Sequence, residues 1–120
     1  TDFTICLENI PSITPTADEL LSVIKKVGGR NFGICLDTGH LNLHDKDQRN
    51  FILKAGKRLK ALHIADNEGE RDQHMMPYGR GNIDFDFISK SVAAILRYSL
   101  ALSTSKIDSP FIYSKNCSVT

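Results

Sequence analysis

Three times the chain runs a short apolar, β-prone segment into a chemically capable side chain and then into a helical pattern. That recurrence constrains the fold more than any other feature. Phe3-Thr4-Ile5-Cys6-Leu7 ends on Glu8-Asn9, and Asn31-Phe32-Gly33-Ile34-Cys35-Leu36 ends on Asp37-Thr38-Gly39-His40. Lys60-Ala61-Leu62-His63-Ile64 opens into a polar loop that lasts until Asp84. After the first run, Pro11 and Pro15 punctuate a loop, and Thr16-Ala17-Asp18-Glu19 has the pattern of a capping box. Leu20, Leu21, Ile24 and Val27 then form one apolar helical face, stopped by Gly28-Gly29. A second helix is predicted from Asp45 or Asp47, with Phe51, Ile52, Ala55 and Leu59 inward and Lys54, Lys57 and Arg58 in its last turns. A third starts at Asp84 and turns Phe85, Ile88, Val92, Ile95 and Leu96 inward. Strand–helix units in succession demand a parallel sheet with right-handed crossovers, an α/β fold. Tyr98–Leu102 reads as a weakly defined fourth strand, so residues 1–105 are predicted as one domain and 106–120 as an irregular or disordered tail.

Composition narrows the functional classes. Across 120 residues the formal net charge is +1, which gives no electrostatic argument for nucleic acid or an anionic membrane. No apolar run approaches the roughly 18 residues of a membrane-spanning helix, and no signal peptide is visible. Cys6 and Cys35 lie inside apolar runs and Cys117 in the tail, a pattern of small buried hydrophobes that suits a reducing cytoplasm. The chain opens on Thr1, so an upstream continuation is expected.

Parallel strands bring their C-terminal ends to one rim. Glu8, Asp37 and His63 stand at three such ends, and carboxylate, carboxylate and imidazole suit Mn²⁺, Mg²⁺, Co²⁺ or Zn²⁺. Each has a plain alternative taken singly: Glu8 as a loop cap, Asp37 as an Asx-turn acid, His63 as a satisfied core histidine. Their recurrence at consecutive ends favours a site. His40, just past Asp37, is placed to bind a second metal or to hydrogen-bond a polar substrate. Asp72 and His74 are candidates to face inward from the loop, against a solvated pair. Arg80, between Gly79 and Gly81, is either a clamp for phosphate or carboxylate or a surface arginine. His44 reads as a solvated loop histidine.

Leu7-Glu8-Asn9, Cys35-Leu36-Asp37-Thr38-Gly39-His40, Leu62-His63-Ile64-Ala65-Asp66-Asn67, Asp72-x-His74 and Gly79-x-Gly81-x-Ile83-Asp84, in this order, resemble the sugar phosphate isomerase/epimerase family of the xylose isomerase-like barrels. The zinc abasic-site endonucleases share that superfamily. The resemblance covers about residues 3 to 96 and implies a partial (β/α)₈ TIM barrel, with three to four consecutive units here, roughly the fifth to seventh. It implies a divalent metal on Glu8, Asp37 and His63, His40 on a substrate hydroxyl, and a sugar or sugar phosphate isomerised or epimerised through an enediolate, with Glu8 as ligand and base. The fourth ligand, a glutamate, is expected on the next strand, near where Ser103 stands. In the nuclease branch Glu8, Asp37, His40, His63, Asp72 and His74 all match zinc ligands. The missing Ala-Gly after Glu8-Asn9, Gly39 in place of a cysteine, and the neutral charge favour the isomerase branch. Three strand units leave both sheet edges open. A catalytically inactive barrel fragment and self-association through those edges are the expectations for the chain alone.

Overall fold

The computed structural model of the protein describes residues 3–102. Strands β1 (Ile5–Glu8), β2 (Phe32–Asp37) and β3 (Leu59–His63) form a parallel sheet in the order β1-β2-β3. The first crossover is α1 (Ala17–Val27), and its capping box is present: the Glu19 N–H donates to Thr16 Oγ1 and the Thr16 N–H donates to Glu19 Oε2. Gly28, at φ 74°, ends the helix in the left-handed region, where its N–H reaches the Ile24 carbonyl at 3.1 Å.

The second crossover differs from the sequence expectation. It holds two helices, α2 (Thr38–His44) and α3 (Gln48–Ala55), followed by a 3₁₀ turn at Gly56–Arg58. Asp47 caps α3, accepting from the Asn50 N–H at 2.9 Å, as one of the two proposed starts required. The α2 helix begins with no linker after β2, because Asp37 ends the strand and caps the helix at once. Leu59 is buried as expected, but it starts β3 rather than belonging to the helix. The last helix, α4, runs Phe85–Leu102, so Tyr98–Leu102 is helical and not a fourth strand. No glycine or proline interrupts this span, and a packed helix continues until something stops it. The expected tail at 106–120, with Cys117, lies outside the described residues.

Register decides which side chains meet. Leu7 pairs with Ile34 and Glu8 with Cys35, while Leu36 pairs with Leu62 and Asp37 with His63. A shift at Ile34/Cys35 leaves Lys60 as an extra residue in β3. That bulge lets Leu59 join the helix-side core beside Ile34 while Ala61 and His63 keep the opposite face. Leu20 and Ile24 of α1, Phe51, Ile52 and Ala55 of α3, and Phe85, Ile88 and Val92 of α4 close over Ile34 and Leu36, both wholly buried. Burying each such side chain is worth about 1.5–3 kcal/mol. Cys6, Glu8, Cys35, Asp37 and His63 are left on the other face, with the acids and the imidazole at its C-terminal rim. Among the described residues no helix is long and apolar enough to cross a membrane.

Candidate metal centre

The rim is assembled by side chains that continue the ladders past the strands' last backbone bonds. Between β1 and β2, the buried Asn9 amide accepts the Asp37 N–H at 2.7 Å and donates to the Asp37 carbonyl at 3.0 Å. Between β2 and β3, Thr38 Oγ1 accepts the Ala65 N–H at 3.1 Å and donates to the Ala65 carbonyl at 2.7 Å. Gln48 of α3 donates to the Thr38 carbonyl at 3.1 Å. These bonds pair the Asp37 and Ala65 N–H groups and add second donors to the Asp37 and Thr38 carbonyls. Together they fix where Asp37 stands.

Asp37 then divides its carboxylate. Its Oδ1 accepts the His40 N–H at 2.9 Å and so caps α2, the Asx role considered for it from sequence. Its Oδ2 faces the rim, 3.8 Å from His63 Nδ1 and 4.0 Å from His40 Nδ1. The cap uses one oxygen and leaves the other facing the rim. Glu8 sits between the two imidazoles, with Oε1 3.1 Å from His40 Nδ1 and Oε2 3.3 Å from His63 Nδ1. Glu8, Asp37 and His40 each present a ligand atom within 4.8 Å of the others. His63 is 46% exposed, so it is no core histidine.

The second group predicted from sequence also gathers here. Asp72 Oδ2 lies 3.4 Å from His40 Nε2 and 2.9 Å from His74 Nε2, so it joins the two histidines. Asp72 faces the rim, whereas His74, 62% exposed, holds it from the solvent side. Arg80 is exposed and has no hydrogen-bond or ion-pair partner among the described residues, so the contacts of the cluster do not include it. His44 is exposed at the end of α2.

The donor set suits a borderline-hard divalent cation. Among the described residues, the basic side chains within 4 Å of Glu8 and Asp37 are histidines, with no lysine or arginine beside the acids. His40 and His63 are not equivalent as ligands. His40 Nδ1 also lies 3.1 Å from the Asn9 carbonyl, a contact that is a hydrogen bond only with the proton on Nδ1. His63 has no such backbone tie. Beneath the cluster, the Cys35 thiol is pushed up to about 12, first by burial and then by the charges of Glu8, Cys6 and Asp37. It therefore stays a neutral thiol rather than a nucleophile. Cys6 is raised as well, by burial, and both are free.

Sequence reasoning missed the residues that orient this set: Asn9, Thr38, Asn42, Gln48, Asp66 and Asn67, all buried. The available signal was a polar residue directly behind Glu8 and Asp37, and the Asp66-Asn67 pair three residues past His63.

The family model described as xylose isomerase-like TIM barrel matches residues 1–99. A ketose 3-epimerase of Arthrobacter globiformis is 29% identical over 84 residues, which are 70% of this chain and 27% of that protein. An uncharacterized protein of Sinorhizobium fredii is 40% identical over 62 residues, 52% of this chain and 20% of that one. The crystal structure of a D-tagatose 3-epimerase-like protein superposes with a TM-score of 0.67 at 30% identity, over 77% of this chain and 36% of that one. The chain thus spans 20% to 36% of the length of these relatives.

Proposed function

This chain belongs to the xylose isomerase-like TIM barrel family, and on that premise we propose that its rim is the metal-binding part of a sugar isomerase or epimerase site. Glu8, Asp37 and His63 would hold a divalent ion, Mn²⁺, Mg²⁺, Co²⁺ or Zn²⁺. The observation that carries this reading is Glu8 held between two imidazoles, with Asp37 beside them, at the C-terminal ends of three parallel strands. Bound there, the ion would polarise the sugar's carbonyl and hydroxyl oxygens and favour the negative charge that develops as a neighbouring carbon loses its proton.

The chain's own residues divide the remaining work. Asp37 is immobilised by its cap and by Asn9, so it serves as a fixed anchor rather than as a base. Glu8 is anchored only through its backbone and its rim contacts, which leaves its carboxylate the group to take the proton from carbon. His40, its Nδ1 beside the Asn9 carbonyl and its Nε2 toward Asp72, presents a set orientation to a substrate hydroxyl. Arg80 is the group available for a phosphate or other anionic end of the substrate. The substrate is a small sugar or sugar phosphate, in line with the ketose 3-epimerase named among the relatives.

Calorimetric titration with Mn²⁺ and with Zn²⁺ tests the centre directly. His63→Ala should lose at least about tenfold in affinity while unfolding at the same temperature, since His63 is half exposed. Equal affinity in the two proteins would overturn the assignment. The 120-residue chain by itself should show little turnover of ketoses, read as deuterium uptake from solvent. The glutamate expected near Ser103, a position outside the described residues, has no counterpart there in the sequence, and losing one acid/base group forfeits about 10²–10⁴-fold in rate. Light scattering should show it self-associating through the open edges of β1 and β3. A stable monomer that exchanges deuterium at ordinary enzymatic rates would contradict both statements.

Asp72 joining His40 and His74 favours a second reading, in which these three take a further ion and the centre serves hydrolysis of a phosphodiester. Nicking of abasic duplex DNA in the presence of Zn²⁺ is its test, and a second equivalent of bound metal lost in Asp72→Asn is its signature.

A further inference from the structure

The segment between β3 and α4 has no helix or strand of its own, yet its neck is closed. Asp66 and Met75 exchange two backbone hydrogen bonds at 2.9 Å. The Asn82 N–H donates to the Asn67 carbonyl at 3.0 Å, and the Ile83 N–H to Asp66 Oδ1 at 3.2 Å. Gly81 passes so close to the Asp66 carboxylate that a Cβ there would collide with it. The two ends of the loop are thereby one unit, and Asp72 and His74 ride on it.

Two asparagines tie that unit to α2. The buried Asn42 amide donates to Asn67 Oδ1 at 2.8 Å and to Asn82 Oδ1 at 2.7 Å. An amide nitrogen carries two hydrogens, so both are used, one on each side of the neck. The acceptors cannot turn away, because Asn67 Nδ2 donates to the Gly39 carbonyl and Asn82 Nδ2 to the Glu68 carbonyl, each at 2.9 Å. Asn42 lies two residues after His40 on the same helix. The helix that carries His40 and the loop that carries Asp72 are therefore joined through Asn42 and Asn67, and Asn42 reaches both sides of the neck.

We propose that Asn42 is a positioning residue that holds Asp72, and through it His74, against His40. This rests on the rim being a functional site, since it assigns what keeps the outer half of that site in place. Without the Asn42 bonds the neck stays closed and Asn67 still reaches Gly39, but the Asn82 side of the loop is free to lift from α2. The contact between Asp72 and His40 is the first to be lost.

The test is an isosteric change, Asn42→Asp, which fills the same space but faces two acceptor oxygens with a third. The ¹⁵N signal of His40 Nε2, recorded without metal, reports the nearness of the Asp72 carboxylate. Asn42→Asp should move that signal to the position seen in Asp72→Asn, and the double variant should move it no further. Amide exchange across residues 68–81 should rise at least tenfold while β1 to β3 stay within about twofold. Should Asn42→Asp fail to fold, Asn82→Ala removes one of the two bonds at an exposed position and should shift the signal the same way by less. A His40 signal unchanged in the folded variant, or exchange raised equally in sheet and loop, would overturn the proposal. Because no metal is present, these outcomes do not depend on whether Glu8, Asp37 and His63 bind one. Failure of the metal titration and failure of the Asn42 tie are separate results.

Discussion

On the helix side of the sheet, Ile34, Leu36 and Leu59 meet Leu20, Ile24, Phe51 and Ile52 through contacts that depend on shape and area. At the C-terminal rim, Asn9, Thr38, Asn67 and Asn42 make contacts that depend on one donor or one acceptor at one place. Both regions are buried to the same degree, with Asn9, Thr38 and Asn67 as inaccessible as Ile34 and Leu36. Equal burial, however, does not mean equal tolerance. An apolar core accepts any side chain that restores volume, whereas a buried polar bond leaves its partner stranded when it is broken. The rim gives up tolerance and in return fixes Asp37 and the start of α2.

The largest expected effect lies on the apolar side. Leu36→Ala should cost about 2–5 kcal/mol in denaturant unfolding, while Leu36→Met should cost less than about 1.5 kcal/mol. At the rim, Asn9→Ala removes the partner of the buried Asp37 N–H and should cost about 1–3 kcal/mol. The comparison is sharpened by Asn9→Leu, which restores volume without the bonds and should recover nothing. If Leu36→Met were as damaging as Leu36→Ala, or Asn9→Leu as mild as wild type, the distinction between the regions would fail. Metal affinity separates them again: Asn9→Ala should weaken Mn²⁺ binding through a loosened Asp37, and Leu36→Met should leave it unchanged.

Cys35 belongs to the rim face, where its thiol meets the backbone of His63, and its effect is confined to alkaline solution. Its thiol is raised from 9.0 to about 12 in the folded chain. The unfolded chain therefore releases this proton first, so the stabilisation is complete below pH 9 and is lost as pH rises toward 12. Cys35→Ala should flatten the alkaline limb of a stability–pH curve and leave the acid limb alone. An unchanged alkaline limb would show that the thiol is better solvated than its burial implies.

The same contrast explains what could be read from the sequence. The apolar layers were legible because their signal is local and periodic: Leu20 to Ile24, Phe51 to Ala55 and Phe85 to Val92 each declare a face within one helix. The strand-end groups Glu8, Asp37 and His63 were legible because parallel strands force their ends onto one rim, whatever lies between. The α2 helix was not. It has seven residues and shares Asp37 with β2 as its cap, so no linker marks its start. Nor were the partners of Asn9 and Thr38, which lie 28 and 27 positions away and show no periodicity. Tyr98–Leu102 misled in the opposite sense, since a run of ambiguous residues follows whatever the preceding element imposes.

The smallest expected effect comes from a polar contact that was legible in full. Thr16 and Glu19 form their capping box at the surface, with the same kinds of bond that Asn9 makes to Asp37. The difference is water. When Thr16→Ala removes the hydroxyl, solvent reaches the freed Glu19 N–H, so the loss should be about 1 kcal/mol and confined to α1. The Thr16 hydroxyl, and then its backbone N–H, hold the Glu19 carboxyl below its usual 4.5. A carboxyl lowered on folding stabilises the fold above its unfolded value, and that contribution is lost as pH falls through the folded value. In Thr16→Ala the acid limb below about pH 4.5 should therefore become shallower, while Asn9→Ala lowers stability without that change of slope. If the acid limbs of the two variants were alike, the surface bond and the buried bond would be acting in the same way. Burial would then no longer be the property that sets the rim apart.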